Sequence, residues 1–155
     1  MLIFAALARR IRFLYRAGTE VVSWVYGYST PYTFFTRDKF AQYMQLTTTG
    51  SLGLDTEVSW VTDIAVPIRG ATRLKIDWET FGNEYSVLVI STEKMMPFST
   101  YSLRLVRSDT SGGRVIDSID ISGLAEGSYY IRVHSFNFPG DYSSTQIDIH
   151  RVWLE

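Results

Sequence analysis

The stretch Gly127-Ser128-Tyr129-Tyr130-Ile131-Arg132-Val133-His134, led in by Asp120-Ile121-Ser122-Gly123-Leu124-Ala125-Glu126, decides the fold. Tyr129, Ile131 and Val133 alternate with Tyr130, Arg132 and His134, the period of two that puts one set on a core and the other on the opposite face of a sheet. Gly123 and Gly127 bracket a short connection in which Leu124 is placed to plug the end of that core. Tyr130, Arg132 and His134 are the part of the strand left to meet a partner.

Outward from this strand, apolar alternation recurs between turn residues. Arg73 to Glu79 is amphipathic, with Leu74, Ile76 and Trp78 on one face and Arg73, Lys75, Asp77 and Glu79 on the other. Tyr85 to Ile90 is apolar on nearly both faces, which predicts a central strand, paired with the preceding one across Phe81-Gly82-Asn83-Glu84. Further strands are expected over Glu20 to Tyr28, Tyr43 to Leu46, Trp60 to Ile68, Tyr101 to Val106, Val115 to Ile121 and Thr145 to Leu154. The polar run from Thr47 to Gly53 reads as a loop, and a short helical turn is expected near Asp38 to Phe40. Pro67 has no N–H for a ladder, so its strand lies at an edge or is bulged there. In the last strand Ile147 and Ile149 sit on one parity and Val152 and Leu154 on the other, so a bulge is expected near His150. Eight or nine strands with short polar turns imply an all-β fold, an antiparallel β-sandwich of the jelly-roll kind.

Residues 1–17 differ in character: four arginines and no acid. At about 100° per residue, Ile3, Phe4, Leu7, Ile11, Leu14 and Tyr15 share a face and Arg9, Arg12 and Arg16 lie opposite. This predicts an amphipathic helix over 1–17, used for docking or oligomerisation, capped by Gly18 and followed by a sandwich domain over 18–155. The charge follows the apolar run instead of preceding it, contrary to a secretory signal.

Composition narrows the function classes. A chain of 155 residues fits one domain able to bury roughly 70% of its unfolded surface. It has no cysteine, which removes disulfides, thiolate metal sites and a thiol nucleophile. A net charge of -1 with pI near 6.1 argues against nucleic-acid binding, and no apolar run approaches the roughly 20 residues of a membrane span. No Gly-x-Ser-x-Gly elbow is present. His134 and His150 read as strand residues, not as metal ligands with Asp120 or Asp148. Asp77 and Glu79, two apart on one face, read as a solvated sheet surface. Asp55, Glu57, Asp63 and Asp141 suit calcium chemically, but no calcium loop organises them. No catalytic residue, cofactor or metal is expected.

The feature that exceeds background is aromatic: Trp24, Tyr26, Tyr28, Tyr32, Phe34, Phe35, Phe40 and Tyr43 fall within one short region. Such a cluster fills a core or, exposed, forms a stacking platform for sugar rings or an interface. Trp24, Tyr26, Tyr28, Tyr32, Phe34 and Phe35 are the candidate binding residues. Arg37, Asp38 and Lys39 interrupt the cluster and make that loop at least partly wet.

As a whole the chain resembles β-sandwich proteins of tailed bacteriophages, of the galactose-binding-like type found in tail fibres, baseplates and receptor-binding parts. The residues that carry the likeness are Leu14 to Glu20 with Gly27-Tyr28, Tyr43 to Leu46, Thr72 to Trp78, and Asp120 to Leu124 with Gly127 to Val133. The last run is also similar to the late strand of secreted-peptidase C-terminal domains. The resemblance implies a non-enzymatic virion part of the tail or tail tip, repeated by symmetry, whose partners are copies of itself, neighbouring virion proteins and a host-surface glycan. The alternatives are a secreted carbohydrate-binding or peptidase-accessory module, and a capsid decoration or head fibre.

Overall fold

The computed structural model describes residues 11–30, 34–49, 55–82, 85–108, 111–137 and 144–155. Among them run thirteen strands: β1 (Arg12–Arg16), β2 (Thr19–Glu20), β3 (Trp24–Ser29), β4 (Phe34–Lys39), β5 (Met44–Thr49), β6 (Thr56–Thr62), β7 (Val66–Pro67), β8 (Arg73–Phe81), β9 (Tyr85–Ser91), β10 (Leu103–Arg107), β11 (Ser111–Asp120), β12 (Ser128–Asn137) and β13 (Ser144–Leu154). They form two antiparallel sheets. One runs β11-β8-β13-β1-β2, with β5 also paired to β13 and β4 to β5; the other runs β10-β9-β12-β6-β3, with β7 on β12.

The alternations read from sequence become the sandwich core. Leu74, Ile76 and Trp78 of one sheet and Tyr129, Ile131, Val133, Leu88 and Ile90 of the other are buried in one cluster, and Leu124 packs against it. Burial of each such side chain contributes about 1.5–3 kcal/mol. The core is not apolar throughout. Toward one end, Ser135 and Asn137 of β12 meet Thr48 of β5 and Thr145 of β13: the Thr48 and Ser135 hydroxyls are 2.7 Å apart, Asn137 Nδ2 donates to Thr48 Oγ1 at 2.7 Å, and Thr145 Oγ1 donates to Asn137 Oδ1 at 2.6 Å. These buried groups satisfy one another and so join the two sheets without an unpaired polar atom between them.

Strand β13 is the spine of the first sheet. It pairs with β8 along one side; along the other it pairs with β5 through Ile149 and with β1 from Arg151 onward. The register shifts between Ile149 and Arg151, so His150 is the expected bulge. Val66-Pro67 is a two-residue strand against Ser128-Tyr129, in keeping with proline at an edge.

Several expectations are corrected. Residues 12–16 are strand, not helix; Ile3, Phe4 and Leu7 lie outside the described residues. The structure puts Leu14 in the domain's own core at 3% exposure and leaves Ile11 exposed at 53%, so these two do not share an oligomerisation stripe. The register of β1 shifts between Phe13 and Tyr15, which turns the consecutive residues Leu14 and Tyr15 both inward. Gly18 does not cap a helix: Ala17 (φ 45°) and Gly18 (φ 87°) form the two-residue turn of the β1–β2 hairpin. Asp38 and Lys39 are strand residues of β4, and Thr47 to Thr49 belong to β5. Strands β8 and β9 do not pair; the chain between them crosses from one sheet to the other. The strand count is thirteen among the described residues, not eight or nine.

Gly18 also admits no side chain: a Cβ there would lie 2.0 Å from the carbonyl oxygen of Ala41, whereas at Gly70 (φ 79°) nothing lies within 4 Å. Gly18→Ala is expected to lower unfolding free energy by at least about 2 kcal/mol and Gly70→Ala by about 1 kcal/mol. Urea unfolding of the two variants checks this; equal losses would show that the approach to Ala41 does not fix Gly18.

Candidate functional site

At one open edge of the sandwich, β3 of one sheet faces β4 of the other. Between them is a cleft of about 430 Å³ lined by Trp24, Val25, Tyr26, Arg37, Asp38, Lys39 and Trp60. Tyr26 stands opposite Trp60 across the β3–β6 ladder, and their ring centroids are 4.9 Å apart. Trp60 is almost fully buried, with Nε1 donating to the Gln45 carbonyl at 3.0 Å, while Tyr26 is 59% exposed. One aromatic ring is thus held as floor and the other stands up as wall.

Cationic side chains lie against both rings. The Arg37 guanidinium lies 4.7 Å from the Tyr26 ring centroid and donates through Nη1 to the carbonyls of Gly27 and Ser59 at 3.3 and 3.4 Å. Burial pulls its pKa below the ordinary arginine value, and the Tyr26 hydroxyl opposes that shift. Lys39 Nζ lies 5.1 Å over the Trp60 ring and is fixed by Glu20 Oε1 and the Trp24 carbonyl, each at 2.8 Å. Both cations are therefore oriented before any ligand arrives. Gly27 lets β3 approach this closely, since a Cβ there would be 2.3 Å from Ser59 Oγ.

The site residues expected from sequence divide as follows. Trp24 and Tyr26 line the cleft, though Trp24 is a 1%-exposed core residue whose Nε1 donates to the Leu14 carbonyl. Tyr28 follows the register shift that begins after Tyr26 and is not among the lining residues. Phe34 and Phe35 begin β4, and Tyr32 lies outside the described residues. Trp60, Arg37, Asp38 and Lys39 complete the site. The sequence signal for the last three was the charged interruption of the aromatic run; Trp60 gave none, because every residue of β6 is buried.

A second charged cluster is closed over. On the outer face of the β10-β9-β12-β6-β3 sheet, Arg132 and His134 are fully buried beneath the connection between β9 and β10. Arg132 donates to the carbonyls of Met96, Pro97 and Thr100, and Glu57 Oε1 accepts the Phe98 N–H at 2.7 Å. Burial brings the Arg132 pKa down to about 10, against the opposing charges of Glu57 and Glu93. His134 Nδ1 lies 2.6 Å from Glu57 Oε1, yet complete burial outweighs that carboxylate and pushes the imidazole pKa down. The expected outward role of Arg132 and His134 is thereby corrected: they are buried under this strap. His150 is on the outer face of the other sheet, so the two histidines cannot share a metal, and the described residues hold no group of three metal-ligating side chains.

This two-sheet antiparallel β-sandwich fold is shared with carbohydrate-binding modules. A family 11 carbohydrate-binding module from Clostridium thermocellum, in complex with a β-1,3-1,4-mixed-linked tetrasaccharide, superposes with a TM-score of 0.58 at 10% identity, over 93% of this chain and 94% of that one. A family 29 carbohydrate-binding module gives 0.52 at 13% identity over 94% and 87%, and a CBM29-2 mutant complexed with cellulohexaose gives 0.53 at 10% over 94% and 89%. At these identities the likeness is one of fold. No protein-family model matches the chain, and no curated protein sequence does.

The depressed His134 pKa has a consequence with a definite sign. The unfolded imidazole takes up a proton near about pH 6.5 while the folded one resists it, so the unfolded state binds more protons and stability falls as pH drops below that value. Asp77, whose carboxyl is held below its ordinary range, adds its own loss only below about pH 4. Urea unfolding at pH 7 and pH 5 should show this loss, and His134→Gln should flatten the slope between them; an unchanged slope would assign it elsewhere.

Proposed function

We propose that this chain is a non-catalytic carbohydrate-binding module whose saccharide site is the cleft between β3 and β4. The observation that carries the reading is the pairing of an exposed aromatic ring, Tyr26, with oriented polar groups: Arg37 and Lys39 as donors and Asp38 as acceptor. A pyranose has an apolar C–H face and a rim of hydroxyls, so it needs one flat electron-rich surface and convergent donors and acceptors around it. The sandwich fold shared with modules of families 11 and 29 supports the same reading.

Display on a phage particle, with self-association and a neighbouring virion partner, is a separate proposal that such a cleft would serve as a receptor-binding surface. It requires the full chain to form oligomers, and a monomer by light scattering would remove it.

For the saccharide reading, cellohexaose and mixed-linked β-glucan are the first probes, by calorimetry or affinity electrophoresis. Tyr26→Ala should weaken binding at least about ten-fold, the loss of one principal aromatic contact. Because Tyr26 is largely exposed, its thermal unfolding should change little. Absence of binding across a broad panel of neutral glycans would overturn the reading.

A further inference from the structure

The outer face of the β11-β8-β13-β1-β2 sheet carries a row of residues that runs straight across five strands. Thr19 pairs with Arg16, Arg16 with Arg151, Arg151 with Asp77, and Asp77 with Ile116. At the ordinary strand spacing this row is about 19 Å long. Two adjoining depressions follow it: one of about 390 Å³ lined by Arg16, Ala17, Gln42, Arg114, His150 and Arg151, and one of about 350 Å³ that shares Arg114 and Arg151 and continues to Asp77 and Ile116.

The arginines are arranged, not scattered. Asp77 is 1% exposed and sits beneath two guanidinium groups. Arg114 grips it with Nε at 2.8 Å and Nη2 at 2.9 Å, and Arg151 with Nε at 2.7 Å and Nη2 at 2.6 Å. One submerged carboxylate thus fixes the planes of two forks and leaves one positive charge over. Arg16 adds another: it lies 4.9 Å over the Phe13 ring and has no acidic partner among the described residues. Two acids border the row, and Glu79 is the ladder partner of Arg114. Glu79 is 3.3 Å from His150 Nε2, and Asp148 accepts from Gln45 and Gln146. The bulge at His150 places that residue beside Arg151 in the wall of the same depression.

A fixed guanidinium fork matches a planar or tetrahedral oxyanion two oxygens at a time, which a lysine cluster cannot do. We propose that this groove is a second, separate binding site, for the carboxylate or sulfate groups of an acidic saccharide. Arg16, Arg114 and Arg151 are the oxyanion donors, with Gln42 and His150 at the rim. The site does not depend on the β3–β4 cleft, which lies at a different edge and would take a neutral sugar. A nucleic acid is the less suitable polyanion, because the whole chain has a net charge of -1.

The test is calorimetric titration of the full chain with hexagalacturonate, a heparin hexasaccharide, cellohexaose and a single-stranded DNA hexamer, on wild type, Arg16→Gln and Arg16→Lys. Arg16 is exposed and outside the Asp77 grip, so neither variant disturbs the fold. One or both acidic saccharides should bind the wild type, with affinity falling as salt rises. Arg16→Gln should weaken that binding about ten-fold, the loss of a charge-assisted hydrogen bond, and Arg16→Lys should fall between. The tighter of the two names the oxyanion. No binding of either, no effect of Arg16→Gln, or equal binding of the DNA hexamer would overturn the proposal. Cellohexaose has no oxyanion, so its result bears only on the Tyr26 cleft and separates failure of one site from failure of the other.

Discussion

The structure depends most on the one-residue bulge at His150 in β13. Without it, Ile147 and Ile149 would face the core while Val152 and Leu154 faced solvent, since a strand's side chains alternate strictly. With it, all four are buried. The same shift lets β13 exchange one neighbour for another, pairing with β5 before the bulge and with β1 after it, while β8 stays on its other side throughout. The edge carrying β4 and the edge carrying β2 are thus both hung on one strand. Consecutive residues point the same way only at such a place, which brings the imidazole of His150 and the guanidinium of Arg151 into one wall.

What could be read from the residues was whatever a simple period encodes. The alternations in β8 and β12, the two-faced apolar run in β9, the edge position of Pro67 and the phase slip at His150 are all as the sequence implies, because each is a local statement about which side of a sheet a residue faces. The helix over 1–17 fails in its described part for a related reason. A bulged strand turns two adjacent residues inward, so Leu14 and Tyr15 share a face as they would on a helix, while Ile11 stays exposed. In β1 that adjacency comes from the slip between Phe13 and Tyr15. A short connection implies pairing of β8 with β9, yet β8 lies between β11 and β13, and β9 between β10 and β12.

The site was legible in part. Aromatic residues in a strand carry no mark of whether they fill a core or stand free, and here they do both: Trp24, Trp60 and Trp78 are buried with each indole N–H satisfied, by the Leu14 carbonyl, the Gln45 carbonyl and Asp117. Tyr26 shares the edge strand β3 with the buried Trp24, so its exposure is set by contacts distant in sequence and not by the strand it lies on. The strap over Arg132 and His134 was invisible for the same reason. An alternation with charged residues on one face reads as solvated unless something covers it, and the cover makes its bonds through backbone carbonyls that no side-chain pattern reports.

The position of β13 in the chain has a bearing on how the protein comes to be folded. Synthesis delivers β1 first and β13 last, yet Arg12 is the ladder partner of Leu154, and β8 waits for the same strand on its inner side. During translation, at about 5–20 residues per second, the strands β8 and β11 can pair with each other, but their sheet has no centre until β13 emerges. For several seconds β1 is an apolar strand with an unfilled edge. The sheet built on β12 takes no strand from β13, so in the order of synthesis all its strands precede the one that gives the other sheet its centre.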